Sequence, residues 1–171
     1  MIVGVDLGIS VSAVVAIDSD HGVVQAEHLI KQRRPDEIIK RFDYGRTLSM
    51  VGRIENAIAS CSRVALDIAI EEPFVGASGT SALKTYSVFV MLITMLTLMG
   101  ALPGGSRIWF VAPTALKKFV GVRTKNLIAR EAYRRWHYMA DDDNLVDAYV
   151  LARWVDEIGS KKQKPALTTP I

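Results

Sequence analysis

The chain has 171 residues, a formal charge of +3 and a sequence pI near 9.1. That length makes one domain of ordinary size and leaves no room for a second large lobe. The mild basic balance admits a polyanionic partner without demanding one, and the single cysteine, Cys61, excludes an internal disulfide and fits a packed thiol in a reducing compartment. His21, His28 and His137 are scattered and give no zinc-ligand pattern.

Residues 2–5 read as an apolar strand that delivers Asp6, followed by a Leu7-Gly8-Ile9-Ser10 turn and a second β-branched strand through Val14, Val15 and Ile17. Burying an unpaired anion is costly, so Asp6 calls for a cation, a set of donors or a metal ion. Gly8 permits the turn and the close approach of a charged ligand. The plainer reading of Asp6 is an Asx-turn between two strands. The N-terminus enters strand pattern directly, without a basic and apolar leader, which points to the cytoplasm.

Residues 23–30 continue as a third strand, so the first thirty residues predict an antiparallel meander. A basic loop, Lys31 to Pro35, leads to helical spacing over 36–59 with a break near Gly45, and residues 63–70 form a fourth strand ending in Glu71-Glu72-Pro73. No charge falls between Lys84 and Arg107, yet the unbroken apolar part is only 88–99 and contains Thr94 and Thr97. A membrane span needs about 20 predominantly apolar residues. Residues 81–99 therefore predict a helix buried on nearly all sides, with one face on the sheet and the other in a subunit interface, and no membrane association. Residues 107–112 are a fifth strand, and Pro113 opens a short helix carrying Lys117 and Lys118. Further helices cover 124–138 and 143–158, and 159–171 read as a basic disordered tail that serves mainly as a solubilising end. The whole predicts an α/β fold of ribonuclease H-like type, a five-stranded mixed sheet with helices on both faces.

Acids then come from three elements. Asp6 closes the first strand, Glu71 closes the fourth, and Asp141-Asp142-Asp143-Asn144-Leu145-Val146-Asp147 opens the last helix. Helical spacing puts Asp143, Asn144 and Asp147 on one face. Capping accounts for Asp141 to Asp143 but not for Asp147, which sits on the second turn among apolar residues. Hard oxygen ligands on separate elements suit one or two Mg²⁺ ions, and two ions about 3.5 to 4 Å apart can clamp the attacking and leaving oxygens of a phosphodiester.

In this order and at these distances the blocks Val3-Gly4-Val5-Asp6-Leu7-Gly8-Ile9-Ser10, Ala69-Ile70-Glu71-Glu72-Pro73-Phe74, Ser81-Ala82-Leu83-Lys84, Ala112-Pro113-Thr114-Ala115-Leu116-Lys117 and Asp143-Asn144-Leu145-Val146-Asp147-Ala148 resemble the RuvC-type Holliday-junction resolvases of the retroviral integrase and ribonuclease H superfamily. The resemblance covers most of residues 1–158. It implies that Asp6 bridges two Mg²⁺ ions, for which Mn²⁺ substitutes, and that Glu71 and Asp147 complete the ligands. The family's fourth acid lies one turn before Asp147. That turn holds Asn144 and Asp143, and Asp143 is assigned because it keeps the charge. Lys117 is expected on the scissile phosphate, Lys125 on the DNA face and Phe74 on an unpaired base, with Lys84, Lys118 and Arg123 as further DNA contacts. Arg130, Arg134 and Arg135 add phosphate partners. A solvated helix surface is the plain alternative for the lysines, and a core position for Phe74. The segment Gly121-Val122-Arg123-Thr124 is shorter than the family's glycine-rich loop, a departure that bears on sequence preference.

The implied activity is paired, symmetric nicking of four-way DNA junctions by a homodimer, leaving 5′-phosphate and 3′-hydroxyl ends. Two alternatives share the fold: a nuclease acting on RNA or RNA/DNA hybrids, and a catalytically silent DNA-structure-binding module. A sugar kinase also opens on Asp-x-Gly, but its second nucleotide lobe does not fit in 171 residues.

Overall fold

The computed structural model describes residues 1–32, 44–61, 64–73, 80–98, 101–122, 124, 126–159 and 164–169. The elements run β1 (Ile2–Asp6), β2 (Val11–Ile17), β3 (Val24–Lys31), α1 (Tyr44–Cys61), β4 (Asp67–Glu71), α2 (Thr80–Leu98), β5 (Arg107–Val111), α3 (Pro113–Val120), α4 (Asn126–Trp136), α5 (Asp143–Trp154) and β6 (Leu167–Thr168). A π-helical turn, Val155–Gly159, continues α5.

The strands form one sheet in the order β3-β2-β1-β4-β5-β6. β1, β2 and β3 are the antiparallel meander, while β1, β4 and β5 lie parallel to one another. Successive side chains of a strand point to opposite faces, and here both faces are apolar. Val3, Val5, Val14, Ile68, Ile70 and Ile108 pack with Met50, Ile54 and Ile58 of α1 and with Val88, Leu92 and Leu96 of α2. On the other face, Ile2, Ala13, Val15, Ile17, Ala69 and Trp109 meet α3, α4 and α5. Helices thus cover both faces, as the sequence predicts.

The sheet has six strands, not five. β6 comes from the stretch expected to be a structureless tail, and it pairs antiparallel with β5 through Arg107 with Thr168 and Ile108 with Leu167. Thr169 holds it there: its amide donates to Ser106 O at 2.9 Å and its hydroxyl to Pro103 O at 3.0 Å.

α2 sets one face on the sheet and leaves the other uncovered within the chain. One line of side chains, Val88, Leu92 and Leu96, is fully buried, whereas Leu83 is 67% and Leu98 80% exposed, with Tyr86 and Val90 also exposed. Its apolar circumference therefore exceeds what the sheet and α1 cover. Gly45 lies inside α1 rather than at a break. The expected helix start over 36–43 falls outside the described residues. Cys61 is half-buried; its thiol donates to Ala57 O at 3.1 Å, and burial pushes its pKa up. Among the described residues no helix is long and apolar enough to cross a membrane.

Candidate active site

The parallel strands β1, β4 and β5 end side by side, and a crevice beyond the carboxyl ends of parallel strands is where open α/β sheets place their ligands. Asp6 is the last residue of β1 and Glu71 the last of β4. Val5 pairs with Ile70, so the register carried one residue further sets Asp6 beside Glu71. After Asp6 the chain turns tightly. The Gly8 amide donates to Ser12 Oγ at 3.0 Å and that hydroxyl returns a bond to Gly8 O at 2.8 Å, while a Cβ on Gly8 would lie 2.3 Å from Val11 O. The glycine is there because the turn folds onto itself.

Asp147 reaches this end of the sheet from α5. The helix lies directly on β1 because Gly4 has no side chain: a Cβ there would stand 1.8 Å from Ala148 O. Backbone thus rests on backbone, and Asp147, only 6% exposed, is carried to the sheet among apolar neighbours. A cavity of about 180 Å³ is lined by Glu71, Asp147 and Lys117 together with Pro113, Leu116 and Ile128. Two of the predicted acids and the predicted lysine share one space. Pro113 begins α3 at its first turn, fixing the step from β5 that swings Lys117 over the cavity.

The N-terminus of α5 explains the acidic run. Asp142 is the N-cap, accepting from the Asn144 amide at 3.0 Å and from Asn144 Nδ2 at 2.6 Å, with Lys31 Nζ 3.4 Å away. Burial pushes the Asp142 carboxyl up, but these donors and Lys31 outweigh it and hold it below its ordinary value. The side chain of Asn144 is thereby committed to the cap. Asp143 is exposed and does not line the cavity that holds Asp147. Sequence spacing could not show this pairing, which depends on β3 bringing Lys31 alongside.

The carboxylates suit a hard divalent cation in kind, and three elements bring Asp6, Glu71 and Asp147 to the same end of the sheet. As the side chains stand, no three His, Cys, Asp or Glu among the described residues are close enough to ligate one ion. Each of the three acids engages another group.

The predicted DNA contacts divide. Lys117 and Lys118 are exposed on α3, Lys84 is half-buried on α2 and Arg130 is exposed on α4. Arg135 lies along the surface, donating to Phe119 O at 2.9 Å and Val120 O at 2.8 Å, where it caps the carbonyl end of α3. Arg134 pairs with Glu131 at 2.7 Å. Both arginines remain exposed on α4. Phe74, Arg123 and Lys125 fall outside the described residues.

No protein-family model matches the chain, and no curated protein matches it in sequence. Solved structures do match. RuvC of T. thermophilus in complex with a Holliday junction superposes with a TM-score of 0.69 at 17% identity, covering 96% of this chain and 98% of that one. The fowlpox virus resolvase, bound to its Holliday-junction substrate, gives 0.54 at 13% identity over 92% of this chain and 99% of that one. The yeast mitochondrial Holliday-junction resolvase gives 0.52 at 14%, over 91% and 78%. Shared architecture at such low identity settles the fold: the chain has the ribonuclease H-like fold of the RuvC-type junction resolvases.

Proposed function

We propose that the protein is a metal-dependent endonuclease that resolves four-way DNA junctions. The observation that carries this reading is the meeting of Glu71, Asp147 and Lys117 in one cavity at the end of β4, beside Asp6, in a fold shared with junction-bound resolvases. Asp6, Glu71 and Asp147, joined by Asp143 from the first turn of α5, would hold two Mg²⁺ ions, or Mn²⁺ in their place. Divalent ions held by these carboxylates would supply activation of an attacking water and stabilisation of the leaving 3′ oxygen, consistent with 5′-phosphate and 3′-hydroxyl ends.

The chain's own residues do the positioning. Lys117 offsets the charge of the scissile phosphate, and Lys118, Arg130 and Lys84 bind backbone phosphates to either side. Apolar Leu116 and Ile128 exclude water around Asp147, which strengthens every charge interaction there. Affinity should fall steeply with salt, because it rests on phosphate contacts.

Paired nicks require two sites, and α2 offers the surface to join them. Its exposed Leu83, Tyr86, Val90 and Leu98 suit a two-fold contact with a second copy. Sedimentation should report a dimer, and the double variant Leu83→Glu, Val90→Glu should sediment as a monomer with an unchanged circular dichroism spectrum. A dimer that survives both charges would remove α2 from the interface.

A silent junction-binding module is the second reading, favoured by the lack of a closed three-ligand cluster among the described residues. One experiment separates the readings: an end-labelled immobile four-way junction, linear duplex and RNA/DNA hybrid are each incubated with the protein and Mg²⁺. Symmetric, ligatable nicks in the junction alone support the proposal. Binding without cuts supports the silent module, and preferential cutting of the hybrid supports a ribonuclease.

A further inference from the structure

The two edges of the sheet differ. β6 covers β5 at one end, whereas β3 closes the other, and among the described residues no strand pairs with its outer side. Along that side runs a groove of about 520 Å³, walled by residues 27–30 of β3 and by Arg53, Asn56, Ala57 and Ser60 of α1. We infer that this groove takes an extended, acidic segment of a partner protein, which joins the sheet as a further strand beside β3. The groove shares no lining residue with the cavity that holds Glu71 and Asp147, so its occupant is independent of the nuclease reading.

Strand register decides which backbone groups are available. The Gln32 amide donates to Ser10 O at 2.8 Å, and residue pairs of an antiparallel ladder alternate between bonded and unbonded. Counting back by twos, Ile30 and His28 bond to Ser12 and Val14, while Leu29 and Glu27, opposite Ala13 and Val15, turn their amides and carbonyls outward. Lys31 obeys the same alternation: its outward carbonyl accepts from Arg53 Nη1 at 2.8 Å. Side-chain directions agree. Leu29 packs with Ala13 and Val15 on the face opposite α1, and Glu27 shares that face by register, so both meet the groove through their backbone. His28 and Ile30 point to the α1 face, where His28 Nε2 lies 3.3 Å from Ser60 Oγ. Glu27 and Leu29 together offer an incoming strand two donors and two acceptors.

In strand addition the main chain supplies affinity and the flanking side chains supply specificity. Arg53, Asn56, Ala57 and Ser60 follow one face of α1 at helical spacing, and Arg53 is the permanently charged member of that wall. Its guanidinium has five donors and gives one to Lys31 O, which leaves others for a carboxylate on the incoming strand. A lysine at the same place would be repelled. A second copy of the chain is the poorer occupant: paired edge to edge about a two-fold axis, it would set its own α1 and its own Arg53 on the same side of the joined sheet, opposing like charges.

The test follows amide exchange residue by residue in the full chain, alone and with short threonine-rich peptides carrying a central Asp or Lys. Alone, the amides of Glu27 and Leu29 should exchange fast and those of His28 and Ile30 slowly. The Asp peptide should slow Glu27 and Leu29 and bind roughly five-fold more tightly than the Lys peptide, and Arg53→Gln should bring the two level. An N-methylated Asp peptide, which lacks amide donors, should bind at least about ten-fold more weakly. Glu27→Pro deletes an outward donor while keeping the ladder to β2, so it should melt near wild type and take up no peptide. Slow exchange at Glu27 and Leu29 in the protein alone, at every concentration, would mean that the edge is already covered and would overturn the inference. Slowing that appears only as the protein is concentrated would put a second copy there instead. Fast exchange that the Asp peptide leaves unchanged at millimolar concentration, or equal binding of the methylated and unmethylated peptides, would remove strand addition.

Discussion

Asp147→Asn is expected to bind a four-way junction as tightly as wild type and to cut it at least about a thousand-fold more slowly in Mg²⁺, a loss of roughly 4 kcal/mol of transition-state stabilisation. Asp147 is the acid best able to show this, because it is buried at 6% exposure and lines the same cavity as Glu71 and Lys117. Asparagine keeps the shape and removes the charge, so folding should be little changed while the hold on a divalent cation is lost. Asp6→Asn should behave alike. Gel-shift and cleavage assays on one labelled junction measure both quantities together. Near-normal cutting by Asp147→Asn would remove this residue from the ligand set, and equal loss of binding and cutting would point to a structural role.

Gly4→Ala should destabilise the fold by about 3 kcal/mol or more, the upper end of what overpacking a tight core costs. The added methyl would stand 1.8 Å from Ala148 O and 2.8 Å from Ala152 N, and both are backbone atoms that no rotamer change can move aside. α5 would have to lift from β1, taking Asp147 away from Asp6. In a chain of this size the thermal midpoint should drop by roughly 6–12 °C. Gly52→Ala is the natural comparison. It lies within α1 with nothing inside 4 Å of the added carbon, so it should be neutral or stabilising by about 0.5–1 kcal/mol. Equal melting of the two variants would mean that the β1 to α5 contact tolerates separation.

Much of this arrangement is legible in the residues themselves. Val3, Val5, Val14 and Val15 announce strands by their branching, and Asp6 and Glu71 stand out because a carboxylate ends an apolar run. Asp147 is marked by the apolar company it keeps on the second turn of α5. Other parts depend on neighbours far along the chain. Arg135 looks like any exposed cation until the carbonyls of Phe119 and Val120 come within its reach. Asn144 and Asp143 cannot be told apart by spacing, since both share a face with Asp147; the cap at Asp142 decides that Asn144 is occupied. α2 is apolar on every side, so periodicity could not say which line of residues the sheet would take. A strand of two residues, Leu167 and Thr168, has no period to read at all.

That short strand bears on how the protein behaves in concentrated solution. By capping part of β5, Leu167 and Thr168 shield Arg107 and Ile108 from pairing with a stray extended chain. The shield is held by a few polar bonds, those of Thr169 to Pro103 and Ser106 and of the Ala166 amide to Ile108 O. Peeling it away would turn a monomer-safe rim into a template for intermolecular sheet growth, so clipping by a protease in this stretch should show itself first as turbidity, before any loss of helical content.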